Sequence, residues 1–188
     1  VQCDGFTDAH KNDESVAIPE TVNYKNRTYS VVSIVGDHYY GFGGTNIKAI
    51  RLPSSLRKIG SYAFYTCKKL TEISIPDGVE IGKGAFSSCD FSLVVIPSSV
   101  NKIDDYAFAS NKKLMEVFFL GAKLPKIHWD SSSDAFSNSH KSCVFYVVDK
   151  EGSDTWGWRH VPKIQYVSFP TSTYTYTGMA PKLEWQNN

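Results

Sequence analysis

The chain has 188 residues, with 20 basic and 19 acidic side chains and a formal net charge of +1. Because these charges are interspersed, the sequence lacks the basic patch of a protein that binds nucleic acid or an anionic membrane surface. No apolar run approaches the roughly 20 residues of a membrane-spanning helix. Residues 1–5 lack the basic and apolar parts of a signal peptide, so we expect an intracellular protein or a piece of a longer, processed one.

The first 34 residues predict an N-terminal cap. Residues 1–15 show no clear period and predict an irregular entry or the end of a preceding strand. Residues 16–19 predict a short strand that ends in proline, and the alternating residues on both sides of a turn at 25–27 predict a β-hairpin. Such a hairpin would cover the open end of a stacked core.

Residues 35–147 repeat themselves with a period of about 22 residues. A strand pattern that ends in proline recurs as I-x-x-I-x-L-P at 47–53, L-x-x-I-x-I-P at 70–76 and F-x-x-V-x-I-P at 91–97, with a fourth copy without proline at 114–119. Between these copies lie K-I-G-S-Y-A-F at 58–64, E-I-G-K-G-A-F at 80–86 and K-I-D-D-Y-A-F at 102–108. A fixed period in the twenties with an L-x-x-L-x-L pattern is typical of a leucine-rich-repeat solenoid.

Each repeat predicts a strand, a proline that ends it, and a turn on the opposite wall. The fold expected is therefore β-rich, with a parallel sheet of short strands on one face and short helical or 3₁₀ turns opposite. Stacked repeats bury what one repeat alone cannot. We predict a structural core made of the apolar residues Ile59, Phe64, Ile81, Phe86, Ile103, Phe108 and Phe136, together with Cys67, Cys89 and Asn111.

The period loosens after residue 120. Residues 121–134 predict an insertion, and residues 143–147 predict the last strand of the stack. Residues 148–168, with Trp156 and Trp158, predict a C-terminal cap, since large aromatic side chains cover much area. Residues 169–188 predict a linker or the first strand of a following domain.

The pattern I-P-x-x-V/L-x-x-I-G-x-x-A-F-x-x-C-x-x-L, seen at 52–70, resembles BspA-type leucine-rich repeats. The resemblance covers residues 14–167 and implies a secreted or cell-surface bacterial protein used in adhesion or ligand binding. Residues 169–188 resemble the start of an immunoglobulin-like surface repeat. The chain departs from the pattern where Asn111 follows Cys67 and Cys89 in the cysteine position, and where Phe91 replaces leucine.

Cys67, Cys89 and Asn111 occupy the same position of successive repeats. We expect a column of small polar side chains that bond to backbone groups of the turns, because buried polar groups need partners. A disulfide between the two cysteines is an alternative, since neighbouring strands lie about 4.7–4.9 Å apart. A reactive thiol is a third.

The sequence predicts no enzyme, metal or cofactor. His140-x-x-Cys143 is only half of a zinc site, and Asp149, Glu151 and Asp154 do not follow the spacing of a calcium loop. The adjacent Asp104 and Asp105 would face opposite ways on a strand, so they could not act as a catalytic pair. None of the hydrolase motifs that position a nucleophile or a zinc ion occurs.

The residues between the inward positions of each strand point outward and become apolar towards the C-terminal end. An exposed apolar surface indicates an interaction site, so we predict that a protein binds to Leu93, Val95, Glu116, Phe118, Val144 and Tyr146. The insertion at 121–134, with Trp129, could instead fold over these residues, and the sequence leaves both possibilities open.

The function predicted is a non-catalytic extracellular or cell-surface module that binds an extracellular protein, such as a host matrix protein or another surface protein. Its signal and anchor would lie outside this chain. One alternative is a carbohydrate-binding module that uses Trp129, Trp156 and Trp158. The other is a structural spacer that presents a following domain.

Overall fold

The computed structural model describes residues 1–4, 13–36, 41–121, 123–127, 134–147 and 163–166. These residues form a solenoid of short strands and turns, without a helix in the described ranges. The strands are β1 (Gln2–Cys3), β2 (Ser15–Ala17), β3 (Thr21–Tyr24), β4 (Arg27–Ser30), β5 (Ser33–Ile34), β6 (Ala49–Arg51), β7 (Lys58–Ile59), β8 (Glu80–Ile81), β9 (Leu93–Ile96), β10 (Lys102–Ile103), β11 (Glu116–Phe119), β12 (Lys126–Ile127), β13 (Val144–Val147) and β14 (Ile164–Tyr166). We call each turn of the solenoid a rung.

The largest sheet has six parallel strands in the order β1-β5-β7-β8-β10-β12. Ile34, Ile59 and Ile81 stand in register on it and are buried. The rungs approach closely where these strands end, because a Cβ at Gly82 would lie 2.8 Å from the backbone nitrogen of Ser61. The sequence pattern predicts one sheet, at the proline-ended strands, so this six-stranded sheet is an additional one.

The sheet that the proline-ended pattern predicts is present but divided. Four parallel strands pair in the order β14-β13-β11-β9, and β2 pairs separately with β6. The expected strand at 72–75 between these two groups makes no ladder hydrogen bonds. Ile73 and Ile75 nevertheless point into the core, as the alternation predicts.

The turns between the two sheets are not helical, which corrects the expected helical or 3₁₀ geometry. The amide of Phe64 donates to the carbonyl of Ala85 at 2.8 Å, and the amide of Phe86 donates to Ala107 at 2.7 Å. Alternate amides therefore bond to the next rung rather than along their own turn. Left-handed residues, which a right-handed helix excludes, recur after each phenylalanine, with φ of 59° at Thr66 and 61° at Ser88.

A stack of phenylalanine rings runs through the core. Phe64 and Phe86 lie 5.2 Å apart between ring centroids at 4°, and Phe86 and Phe108 lie 5.2 Å apart at 17°. Phe42 and Phe136 continue the stack at its two ends. Ile59, Ile81 and Ile103 are at most 1% exposed beside these rings. The structure thus places every residue of the predicted apolar core in its interior.

The N-terminal residues complete the stack. The antiparallel strands β3 and β4 form the hairpin that the alternation indicates, with left-handed Lys25 and Asn26 at its turn. Residues 1–4 are not an irregular entry, because β1 pairs with β5 as the edge strand of the six-stranded sheet. Apart from β14, the predicted C-terminal cap and the tail at 169–188 lie outside the described residues.

Candidate functional site

The outward residues of β9, β11 and β13 form two rows across the sheet. Register pairs Glu116 with Leu93 and Val144 in one row, and Phe118 with Val95 and Tyr146 in the other. Together these six residues are called the sheet face. Their side chains point away from the main core, and Val95, Phe118 and Tyr146 form a separate apolar cluster.

The exposure of the sheet face differs from the expectation. Val95, Phe118 and Tyr146 are only 5%, 2% and 7% exposed, so they are not an open apolar surface. Leu93, Glu116 and Val144 are half-buried and reach solvent. Half of the insertion that could instead cover the face, residues 122 and 128–133 with Trp129, lies outside the described residues.

The sheet face has a rigid aromatic base. The rings of Phe118 and Tyr146 stack with their centroids 4.4 Å apart at 7°. The hydroxyl of Tyr146 donates to Oε1 of Glu116 at 3.3 Å. Burial, and then the charge of Glu116, raise the pKa of Tyr146, so this hydroxyl stays protonated at neutral pH. The stacked pair of Phe118 and Tyr146 thereby orients the Glu116 carboxylate between Leu93 and Val144.

The same sheet side is polar towards its N-terminal end. Ala49 and Arg51 on β6 are exposed, as are Glu72 and Ser74 on the next rung. The change from polar to apolar along the rungs follows the sequence pattern. The apolar part of the face is thus confined to β9, β11 and β13.

The position of Cys67, Cys89 and Asn111 forms a buried column beneath the turns. The thiol of Cys67 donates to the carbonyl of Phe42 at 3.0 Å, and the thiol of Cys89 donates to that of Phe64 at 3.2 Å. Asn111 Nδ2 donates to the carbonyl of Phe86 at 2.9 Å. Both thiols are free, and burial raises the pKa of each. In this geometry the column bonds to the backbone, as in the first of the three interpretations, and neither thiol is positioned as a nucleophile.

The candidate metal ligands do not come together in the described part of the chain. No group of three or more His, Cys, Asp or Glu side chains there could hold a metal ion. Cys143 is buried, and burial followed by the charge of Glu116 raises its pKa to about 12. The imidazole Nδ1 of His140 accepts a hydrogen bond from the amide of Ser142 at 3.1 Å instead. Of the adjacent pair Asp104 and Asp105, Asp104 forms an ion pair in which its Oδ2 lies 3.1 Å from the ammonium of Lys102.

Several sequence-based candidates cannot be placed. Trp129, Trp156 and Trp158, proposed for glycan binding, lie outside the described residues, as do Asp149, Glu151 and Asp154. Among the described residues, no helix is long and apolar enough to cross a membrane.

Sequence reasoning also missed a shallow cavity of about 860 Å³ beside the last turns, where Lys112, His140 and Lys141 meet. The only signal in the sequence is that a lysine follows the column position by one or two residues in three repeats, at Lys68, Lys112 and Lys141.

Comparison with known proteins gives a family match over the repeats. The model of the BspA type leucine-rich repeat region matches residues 38–147 in 6 copies. No match was found among proteins with curated descriptions.

Three solved structures are similar to the chain. A T. pallidum leucine-rich repeat protein is 29% identical with a TM-score of 0.53, over 71% of this chain and 58% of that protein. The pneumococcal vaccine antigen PcpA is 19% identical with a TM-score of 0.56, over 88% of this chain and 44% of its own. A leucine-rich cell surface protein from Faecalibacterium prausnitzii is 22% identical with a TM-score of 0.50, over 72% and 38%. The matches thus cover between 38% and 58% of the length of these structures, and the last two support the fold alone.

Proposed function

Because the chain belongs to the BspA-type leucine-rich repeat family, we propose that it is a non-catalytic binding or adhesion module that works on the outside of a bacterial cell. Leucine-rich repeats in this family suggest binding rather than chemistry. A solenoid supports that role because each rung adds one set of side chains to an extended surface.

The ligand that we propose is an extracellular protein, and the sheet face is its docking surface. The observation that carries this proposal is the row of Leu93, Glu116 and Val144, in which a carboxylate stands between two apolar side chains. All three are half-buried and accessible. The stacked pair of Phe118 and Tyr146 fixes the row from the side, so little side-chain entropy is lost on binding.

This row selects the chemistry of the partner. Leu93 and Val144 offer apolar contact on strands that flank β11, and Glu116 offers a negative charge between them. The complementary surface is therefore a lysine or arginine flanked by apolar side chains. Apolar contacts of this kind supply affinity, while the central charge pair sets register and orientation.

The test compares variants that change the accessible row without entering the core. We expect the double substitution Leu93→Ser/Val144→Ser, and separately Glu116→Gln, to weaken capture by whichever immobilised extracellular-matrix protein binds the wild-type domain. The matched control is Val22→Ser/Val32→Ser, which changes two exposed valines near the other end of the solenoid. Surface plasmon resonance gives the dissociation constants.

A loss of about tenfold or more in the row variants, with the control unchanged, would support the sheet face, since hot-spot truncations exceed roughly 1.4 kcal/mol. Equal binding by all variants would exclude it as the docking surface. Equal thermal unfolding of the wild type and the three variants is required, so that a loss of binding is not a loss of fold.

A further inference from the structure

The shallow cavity beside the last turns, here called the groove, is a second surface apart from the sheet face. Its volume is about 860 Å³, and the lining side chains used below are Ser110, Lys112, Asn138, His140, Lys141 and Ser142. A volume of this size is in the range of small-ligand sites and far larger than a single ion needs.

The fold constructs the groove from two successive rungs. Ser110 and Asn138 are the left-handed residues of neighbouring turns, with φ of 59° and 56°. The amide of Ser110 donates to the carbonyl of Ser137 at 2.7 Å, which ties the two turns together. On the far side, the amide of Ser142 bonds to Nδ1 of His140 at 3.1 Å and fixes that loop. The walls are therefore held by hydrogen bonds of the solenoid itself.

The charge of the groove has one sign. In the part of the chain that the structure describes, its lining contains the charged side chains of Lys112 and Lys141 but no carboxylate. Within the described ranges no ion pair involves either of these lysines, whereas the adjacent Lys113 pairs with Asp90 at 2.6 Å. Both lysines are exposed, so their side chains are accessible to a ligand. The groove thus presents two available cations on neighbouring rungs.

The polar lining indicates the rest of the ligand. Hydroxyls of Ser110 and Ser142 and the amide of Asn138 can donate to and accept from sugar hydroxyls. Among the described residues, no Phe, Tyr or Trp ring lines the groove, so a neutral sugar would gain little stacking there. Lysines supply point charges rather than the planar fork by which arginine pairs with carboxylates. These features favour a sugar that carries a sulfate group.

A single exposed ion pair contributes little, typically below about 1 kcal/mol, so one sulfate would bind weakly. A polymer with repeated sulfates can engage both lysines at once, and the second contact then forms at a high effective concentration. We propose that the groove binds a sulfated polysaccharide through Lys112 and Lys141. This site is independent of the protein ligand proposed for the sheet face.

The experiment measures binding of the whole chain to dextran sulfate, with neutral dextran as the uncharged polymer and polygalacturonate as the carboxylated one. The variant is Lys112→Ala/Lys141→Ala. The matched control, Lys58→Ala/Lys126→Ala, removes the same charge from two exposed lysines of the six-stranded sheet. Titration at two salt concentrations gives the affinity and its salt dependence.

We expect the groove variant to bind dextran sulfate on the order of tenfold more weakly than the control variant, with a smaller salt dependence. Neutral dextran should not bind. Equal losses in the two variants would overturn the site, because net charge alone would then explain binding. Tighter binding of polygalacturonate would overturn the sulfated ligand, and binding of neutral dextran would overturn the role of charge.

Discussion

At the scale of single residues, the buried column beneath the turns shows that one position accepts several side chains. Thr45, Cys67, Cys89, Asn111 and Ser139 occupy it, and each donates a hydrogen bond to the carbonyl of a core phenylalanine. The shared requirement is a small donor, because an unpaired buried carbonyl is unfavourable. Asn111 fulfils it twice, with bonds to Phe86 and Phe108 at 2.9 and 2.7 Å, but its buried Oδ1 has no hydrogen-bond partner among the described residues.

We predict that Asn111→Ala lowers the free energy of unfolding by about 1–3 kcal/mol, because two buried carbonyls lose their donor. Asn111→Cys should recover part of that loss, since a thiol bonds to the preceding rung at Cys67 and Cys89. Urea denaturation of the three proteins measures both effects. Equal stability of the alanine and cysteine variants would show that filling the volume, and not hydrogen bonding, decides this position.

At the scale of elements, the residue before the hairpin connects it to the repeats. The carboxylate of Glu20 accepts hydrogen bonds from the amides of Ser54 and Ser55 at 2.8 and 3.2 Å, just after the proline that follows β6. These bonds, with that of Ser54 first, hold the pKa of Glu20 below its ordinary value of 4.5. The hairpin is thus attached by a charge as well as by its neighbouring strands.

We predict that Glu20→Gln destabilises the protein at pH 7 and that this difference shrinks as the pH falls. A carboxyl whose pKa is lowered by folding stabilises the native state above its unfolded pKa and loses that contribution when it is protonated. The measurement is urea denaturation of wild type and variant between pH 7 and pH 3. The control is Glu72→Gln, an exposed carboxylate on the sheet side. A difference between wild type and Glu20→Gln that stays constant with pH would contradict the role of the charge.

At the scale of the whole molecule, stability is a sum of contacts between neighbouring rungs. Phe86 has 0% exposure and stacks on the rings of Phe64 and Phe108, so it joins three rungs. The backbone bonds from Phe64 to Ala85 and from Phe86 to Ala107 follow the same direction. A change at the centre of this stack should therefore affect the rungs on both sides first.

We predict that Phe86→Ala lowers the free energy of unfolding by about 3–5 kcal/mol, as expected for a buried aromatic side chain. Hydrogen exchange should accelerate most at the amides of Phe64, Phe86 and Phe108, and least in the hairpin. Tyr65→Ala is the control, because a side chain that is 39% exposed should contribute much less. Near-wild-type stability of Phe86→Ala would refute the core, and uniform acceleration would refute the neighbour-by-neighbour description.

Features that depend on a short-range pattern can be predicted from the amino-acid sequence alone. The 22-residue spacing of Phe64, Phe86 and Phe108 is enough to predict stacked rungs, because a ring in each repeat needs a neighbour to bury it. The hairpin was equally predictable, since alternation around a short turn is local information.

Features that depend on contacts between rungs are visible only in the three-dimensional fold. Strands of two residues, such as Lys58–Ile59, are too short to show alternation, so only their pairing with other rungs defines the six-stranded sheet. The geometry of the turns could not be predicted, because Thr66 and Ser88 adopt a left-handed conformation that threonine and serine do not favour. The burial of Phe118 likewise depends on residues that are distant from it in sequence. The same holds for the groove, in which Lys112 and Lys141 line one cavity. A pattern fixes which way a side chain points, but its exposure depends on what the rest of the chain places against it.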